Sequence, residues 1–396
     1  MDLMTMQEEV IQQDTAYILG TYPRMPLVFV RGQGMWLYDQ AGRPYLDFTS
    51  GIAVNALGHA DPQIVAAVQE QTQRLSHVSN LYYTLPQIAV AKLLCDLSFA
   101  DKVFFCNSGA EAVEAALKFA RKYARIHFGE GKTRVLAFSQ GFHGRTMGAL
   151  AVTAREKYQA PFRPLMPNVD FAAFNDLAAA AQAITGQTCA VIFEPVQGEG
   201  GVIPADPAFV SGLRQLCDSH GALLIADEIQ CGLGRTGQMW GYQHTSMQPD
   251  LLTVAKSLAG GLPMGAVLLA QKVADTVAAG DHGSTFAGGP VVARAAEVIL
   301  ERVRQPEFLA HVVSMGSYVV QRLKSIPSPH ILEVRGRGLM VGILLDCEAK
   351  PIVDAAIKQG LLLLNAGENV LRLLPPLIVG EAEIDQMINI LTTLLA

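Results

Sequence analysis

The chain has 396 residues, half of them hydrophobic, with 36 acidic against 30 basic side chains and a formal charge of −6. That supplies cores for two or three lobes, and the mild acidity speaks against a nucleic-acid-binding surface. The apolar runs, such as Leu361 to Leu364, are far too short to span a bilayer.

Residues 1–20 read as an amphipathic helix. Their acidic opening lacks the basic region and apolar core of a signal peptide, so a cytoplasmic location is expected. Residues 34–39 and 45–48 alternate around a turn at 40–43 and predict a hairpin. From about residue 85 the pattern changes to strands alternating with helices. Strands are expected at 102–106, 134–138, 189–193, 222–226, 251–255 and 264–270, with helices such as 110–123 and 207–219 between them. Such alternation predicts an α/β domain around a mostly parallel sheet. Beyond about residue 290, helices at 291–303 and 307–325, strands at 339–345 and 370–374, and a helix from 381 predict a smaller α+β lobe. The expected division is 1–56 as an N-terminal part of the small domain, 57–289 as the large domain, and 290–396 as the C-terminal small domain.

The six cysteines, Cys95, Cys106, Cys189, Cys217, Cys231 and Cys347, form no C-x-x-C pair. No H-E-x-x-H is present either, and no metal is expected. The segment Gly232 to Gly237 fits G-x-G-x-x-G, a dinucleotide-binding turn. Gly241 interrupts the helix that should follow, and no acid ends a strand about 20 residues on, so the nicotinamide reading is set aside.

Buried parallel sheets present their chemistry at the carboxyl ends of the strands. One apolar run ends at Asp227 and another at Lys256. Either residue alone is better explained by helix capping or a surface charge. Together they are what a pyridoxal phosphate (PLP) enzyme requires, a Lys for the Schiff base and an Asp for the pyridinium proton. Ser108, Gly109 and Ala110 open a helix after a strand, where backbone N–H groups can hold a phosphate. Phe142 could stack on a flat ring, and Arg145 could grip a carboxylate. His143 is assigned a packing or hydrogen-bonding role. Glu194 directly follows an apolar strand. Arg372, inside an apolar segment, needs an acidic partner or an anionic ligand. Ser284 and Thr285 offer hydroxyls for a second phosphate contact.

These residues resemble the class III (ω-) aminotransferases, PLP enzymes of fold type I, over nearly the whole chain. The resemblance rests on the segments beginning at Asn107, Gly141, Glu194, Asp227, Lys256 and Gly283, in that order. It implies a large domain with a mostly parallel seven-stranded sheet, a smaller α+β domain, and a homodimer with active sites at the interface. Lys256 would carry the cofactor and move the substrate proton, Asp227 would pair with the pyridine nitrogen, and Gln230 would bond the ring oxygen. Phe142 would stack, and Ser108, Gly109 and Ala110 would hold the phosphate, with Thr285 reaching over from the neighbouring subunit. Arg145 would bind the remote carboxylate of the amine donor, and Arg372 the α-carboxylate of glutamate. Glu194 would lie at the cofactor and neutralise Arg372 when the other substrate is bound. Tyr22, Glu199 and Ser284 would complete the substrate site. Val113 and Ala287 depart from the family's usual residues.

Within the family, residues 51–59 and 371–376 are most similar to members acting on N2-acetylornithine. The expected reaction transfers its terminal amine to 2-oxoglutarate. Succinylornithine, ornithine, 4-aminobutyrate and N-succinyl-diaminopimelate remain open as donors. A regulatory module on an inactive fold of this type would lack the Lys or the Asp, and both are present.

Overall fold

A computed structural model describes residues 3–396, with side chains from residue 6. Its centre is a seven-stranded sheet, ordered Lys102–Cys106, Gly265–Leu269, Leu251–Val254, Leu223–Asp227, Thr188–Phe193, Arg134–Phe138, Val169–Ala172. Only Gly265–Leu269 runs antiparallel to its neighbours; the other pairings are parallel. Thr188–Phe193, Leu223–Asp227 and Leu251–Val254 are buried throughout, as expected of strands covered by helices on both faces. Their continuous Val, Ile and Leu content made them readable in the sequence. The strand Val169–Ala172 was not anticipated: it sits at the sheet edge, half exposed, and carries no apolar run.

The expected hairpin forms between Trp36–Asp39 and Pro44–Asp47, and Leu361–Leu362 pairs in parallel with Leu46 and Asp47. This ties the N-terminal segment to the C-terminal lobe, whose antiparallel sheet is ordered Ile331–Arg337, Met340–Leu345, Val370–Leu373, Leu364–Asn365. Met35, Leu46 and Phe48 share one core with Val312, Leu371 and Leu391.

The helix Pro290–Val303 departs from the expected division. Ala293, Ala296, Ile299 and Leu300 pack in the core of the large sheet, although the expected boundary put them in the small domain. The first helix, Leu3–Tyr17, forms as predicted, residues 1 and 2 lying outside the described residues. Its described side chains are mostly exposed, so it buries no continuous apolar stripe. No helix among the described residues is long and apolar enough to cross a membrane. The stretch Gly232–Gly237 is a run of turns, with Gly234 and Gly237 at φ +83° and +88°, and no helix follows it directly.

Candidate active site

Six strands of the large sheet run the same way, and five of them end at residues that build the site. The two antiparallel steps across Gly265–Leu269 restore the direction of Lys102–Cys106, so its end joins those of the parallel strands. The residues just beyond these ends wall a cavity of about 500 Å³, a size suited to a small cofactor and substrate. Ser108, Gly109, Ala110, Phe142, Arg145, Glu194, Glu199, Asp227, Gln230 and Lys256 all line it. A larger hollow of about 880 Å³ lies between surface helices, where Arg294 is already paired with Glu297 and Arg302 with Asp61. It gathers no comparable set of groups.

Asp227 terminates Leu223–Asp227 and is 3% exposed. Three groups fix its carboxylate: His143 Nδ1 at 2.7 Å from Oδ2, and the Ile229 amide and Thr253 hydroxyl donating to Oδ1 at 3.1 and 3.2 Å. Burial opposes a charged imidazole at His143, but the hydrogen bond and charge of Asp227 outweigh it and raise the His143 pKa. The hydrogen-bonding role expected of His143 is its observed contact.

Lys256 opens the short turn Lys256–Ala259 with φ +36°, a left-handed backbone that costs a non-glycine residue on the order of 1–3 kcal/mol. Burial lowers its amine below the usual lysine range, and the charge of Arg372 adds to this against the pull of Glu199 and Asp227. An amine so placed is more readily neutral and nucleophilic.

Ser108 caps the helix Gly109–Phe128, its hydroxyl accepting from the Glu111 amide at 3.2 Å. The amides of Gly109 and Ala110 head that helix, where no preceding turn can satisfy them and the dipole favours an anion. A Cβ at Gly109 would fall 2.9 Å from Ile229, so glycine is required for this close packing.

Arg372 sits in Val370–Leu373 with 3% exposure, and Nη1 meets Glu199 Oε1 at 2.6 Å and Gln230 Oε1 at 3.3 Å. Burial alone would raise the Glu199 carboxyl, but the Arg372 charge and hydrogen bond hold it below the usual range. This corrects the expectation for Glu194. Its two oxygens instead accept from the Phe142 amide at 3.0 Å and the Gly198 amide at 3.1 Å, and burial pushes it up to about 7. The partner of Arg372 is Glu199. A Cβ at Gly198 would lie 2.1 Å from Gln230 Oε1, so this turn must be glycine for Gln230 to reach Arg372.

Arg145 is exposed at the cavity wall, its guanidinium 3.5 Å from the Tyr158 ring centroid and 5.6 Å from that of Phe142. Among the described residues no carboxylate lies within ion-pair distance of it. Three expected residues lie elsewhere. Tyr22 is 71% exposed beside Arg24. The Ser284 hydroxyl accepts from Asn107 Nδ2 at 2.8 Å. Thr285 lines a separate cleft with His77, Asn80 and Gln87. Sequence reasoning missed Arg155, which donates to the Glu199 carbonyl at 2.6 Å, and Thr253 beneath Asp227. Nothing local marks either residue, because each acts through a segment distant in sequence.

Residues 18–395 match the family model described as aminotransferase class-III. An acetylornithine aminotransferase of Alnus glutinosa, described as mitochondrial, is 50% identical over 97% of this chain and 87% of its own length. A succinylornithine transaminase of Yersinia pseudotuberculosis is 47% identical over 93% of this chain and 92% of its own. Among solved structures, the ornithine aminotransferase of Toxoplasma gondii, described with partial occupancy of PLP at its active site, superposes with TM-score 0.94 at 29% identity, covering 98% of this chain and 94% of that one.

Proposed function

The chain belongs to the class III aminotransferases, and on that premise we propose that it moves the terminal amino group of N2-acetylornithine to 2-oxoglutarate with PLP as cofactor, giving N-acetylglutamate 5-semialdehyde and glutamate. The observation that carries this reading is one cavity lined by a buried carboxylate, a buried amine of lowered pKa and one uncommitted Arg, with a second, buried Arg paired to the Glu199 of its wall.

The donor set fits PLP. Ser108 and the amides of Gly109 and Ala110 would take the phosphate, Asp227 the pyridine nitrogen, Phe142 the ring face, Gln230 the ring oxygen, and Lys256 the aldehyde carbon. Glu194 braces this wall by fixing the Phe142 amide. When bound, the cofactor supplies an aldehyde for the substrate amine and a ring that accepts the electron pair left by proton loss. Asp227 keeps a proton on that ring, and His143 anchors the carboxylate in place. Lys256 Nζ would be the base that takes the proton from the amine-bearing substrate carbon and returns it to the carbon on the far side of the nitrogen, two atoms away.

The two substrates differ in where their carboxylates lie. In N2-acetylornithine the reacting amine is terminal and the carboxylate remote, within the compass of Arg145. Glutamate has a further carboxylate on the reacting carbon, which needs Arg372. Glu199 covers Arg372 when that group is absent and must yield when it is present. Succinylornithine meets the same demands, and the 47% identical relative carries that name.

A homodimer belongs to this proposal. Leu81, Tyr82, Tyr83 and Leu85 are 68–95% exposed, and Asn80 ties their segment to the carbonyls of Ser284 and Ala287 beside Thr285. A contiguous apolar surface of this kind calls for a cover. A second copy seated there would bring Thr285 toward a neighbouring cavity. The substrate proposal is tested with a donor panel against 2-oxoglutarate. N2-acetylornithine should give the highest kcat/KM; a strong preference for 4-aminobutyrate or succinylornithine overturns the choice.

A further inference from the structure

We propose that His330, Asp346 and Cys347 form a binding site for a divalent transition-metal ion of the zinc class. None of the three lines the catalytic cavity. His330 immediately precedes the strand Ile331–Arg337, and Asp346 and Cys347 immediately follow Met340–Leu345. The antiparallel register sets Ile331 opposite Leu345, and the Asp346 amide donates to the His330 carbonyl at 3.2 Å. Residues far apart in sequence are thereby held side by side at the open end of a strand pair. Local spacing motifs cannot reveal such a group.

The geometry is close to that of a coordination shell. His330 Nδ1 lies 2.9 Å from Asp346 Oδ1. One ligand atom from each of His330, Asp346 and Cys347 lies within 4.8 Å of the others. Ligands bound tetrahedrally to zinc at about 2.0–2.3 Å stand roughly 3.3–3.7 Å apart. Shifts of about 1 Å in exposed side chains would close the triad on an ion. His330 Nδ1 and Asp346 Oδ1 now share a hydrogen bond; an ion would take the place of its proton and of the Cys347 thiol proton. Imidazole, carboxylate and thiolate together suit zinc or cobalt and do not suit the all-oxygen demands of magnesium or calcium. Three protein ligands leave a fourth position for water. Cys347 is exposed, whereas the other five cysteines are partly or fully buried, so it is the thiol that an ion from solvent meets.

The test uses full-length, tag-free, metal-stripped holoenzyme titrated with Co²⁺, read as a difference spectrum so that cofactor absorbance cancels. One equivalent should bind with a thiolate-to-cobalt charge-transfer band and tetrahedral visible bands, and Zn²⁺ should displace it. Cys347→Ser should abolish the thiolate band. His330→Ala and Asp346→Ala should each weaken binding more than about 10-fold. All three positions lie at the surface, and circular dichroism checks that the variants fold. Saturating Co²⁺ without a thiolate band, a band that survives Cys347→Ser, or unchanged affinity in His330→Ala overturns the site. The readout does not depend on which amine the enzyme uses.

Discussion

Replacing Glu199 with Gln should separate the two half-reactions. In the resting site Glu199 lies 2.6 Å from Arg372; the guanidinium side chain is 3% exposed and the carboxylate 31%. Unit charges about 4 Å apart at an effective dielectric of 20 attract by about 4 kcal/mol before other costs. The partial exposure of Glu199 and the desolvation of both groups return most of that, leaving about 1–2 kcal/mol. On the proposed reading, glutamate must break this pair to place its α-carboxylate on Arg372, whereas N2-acetylornithine leaves it intact. Removing the charge of Glu199 should therefore raise kcat/KM for glutamate about 5–30-fold, the same free energy expressed as a rate ratio. For N2-acetylornithine it should fall, since an unmasked cation then faces an uncharged reacting centre. Single-turnover stopped-flow with each amine measures both values separately. An equal factor on both half-reactions, or a fall for glutamate, would refute the masking role. A melting curve guards against misfolding.

Three further outcomes follow from the same geometry. Asp227→Asn should lower kcat on the order of 10²–10³-fold for both amines alike, because it removes the charge proposed to hold the ring proton, as steady-state assays will read. Burial pushes the Glu228 carboxyl up to about 7 from 4.5, although the Gly241 and Tyr242 amides donate to it. Its contribution to stability is thus full below about pH 4.5 and lost as pH rises through 7. Denaturant titrations at pH 5 and 8 should show wild type losing stability relative to Glu228→Gln across that window, and a constant difference would count against the raised value. Leu81→Asp with Tyr83→Asp should yield monomer in light scattering with loss of activity, whereas an unchanged mass would remove this face from the interface.

Much of the site was legible because its residues sit where continuous apolar strands stop. Asp227 and Lys256 are marked by the runs before them, and Ser108 by the strand and helix on either side. The pairing of Arg372 was legible only as a need. The sequence places two acids, Glu194 and Glu199, after the same strand, and only the turn at Gly198 decides which reaches the guanidinium. Glu194 directly follows the strand and is consumed by nearby amides. Glu199, one turn further, swings across to Arg372. The strand Ile331–Arg337 escaped notice because its residues are half exposed and an irregular register follows Ile331. The helix Pro290–Val303 was recognised but misassigned between lobes, since periodicity reports an apolar face and not which core receives it.

The central claim is that Lys256 holds the cofactor by a covalent bond in the cavity it shares with Asp227. Borohydride reduction of the holoenzyme followed by peptide mass spectrometry tests it most directly. The account predicts one pyridoxyl-phosphate adduct, on the peptide containing Lys256, and neither adduct nor transamination in Lys256→Ala. An adduct on another lysine, or normal turnover by Lys256→Ala, would contradict it.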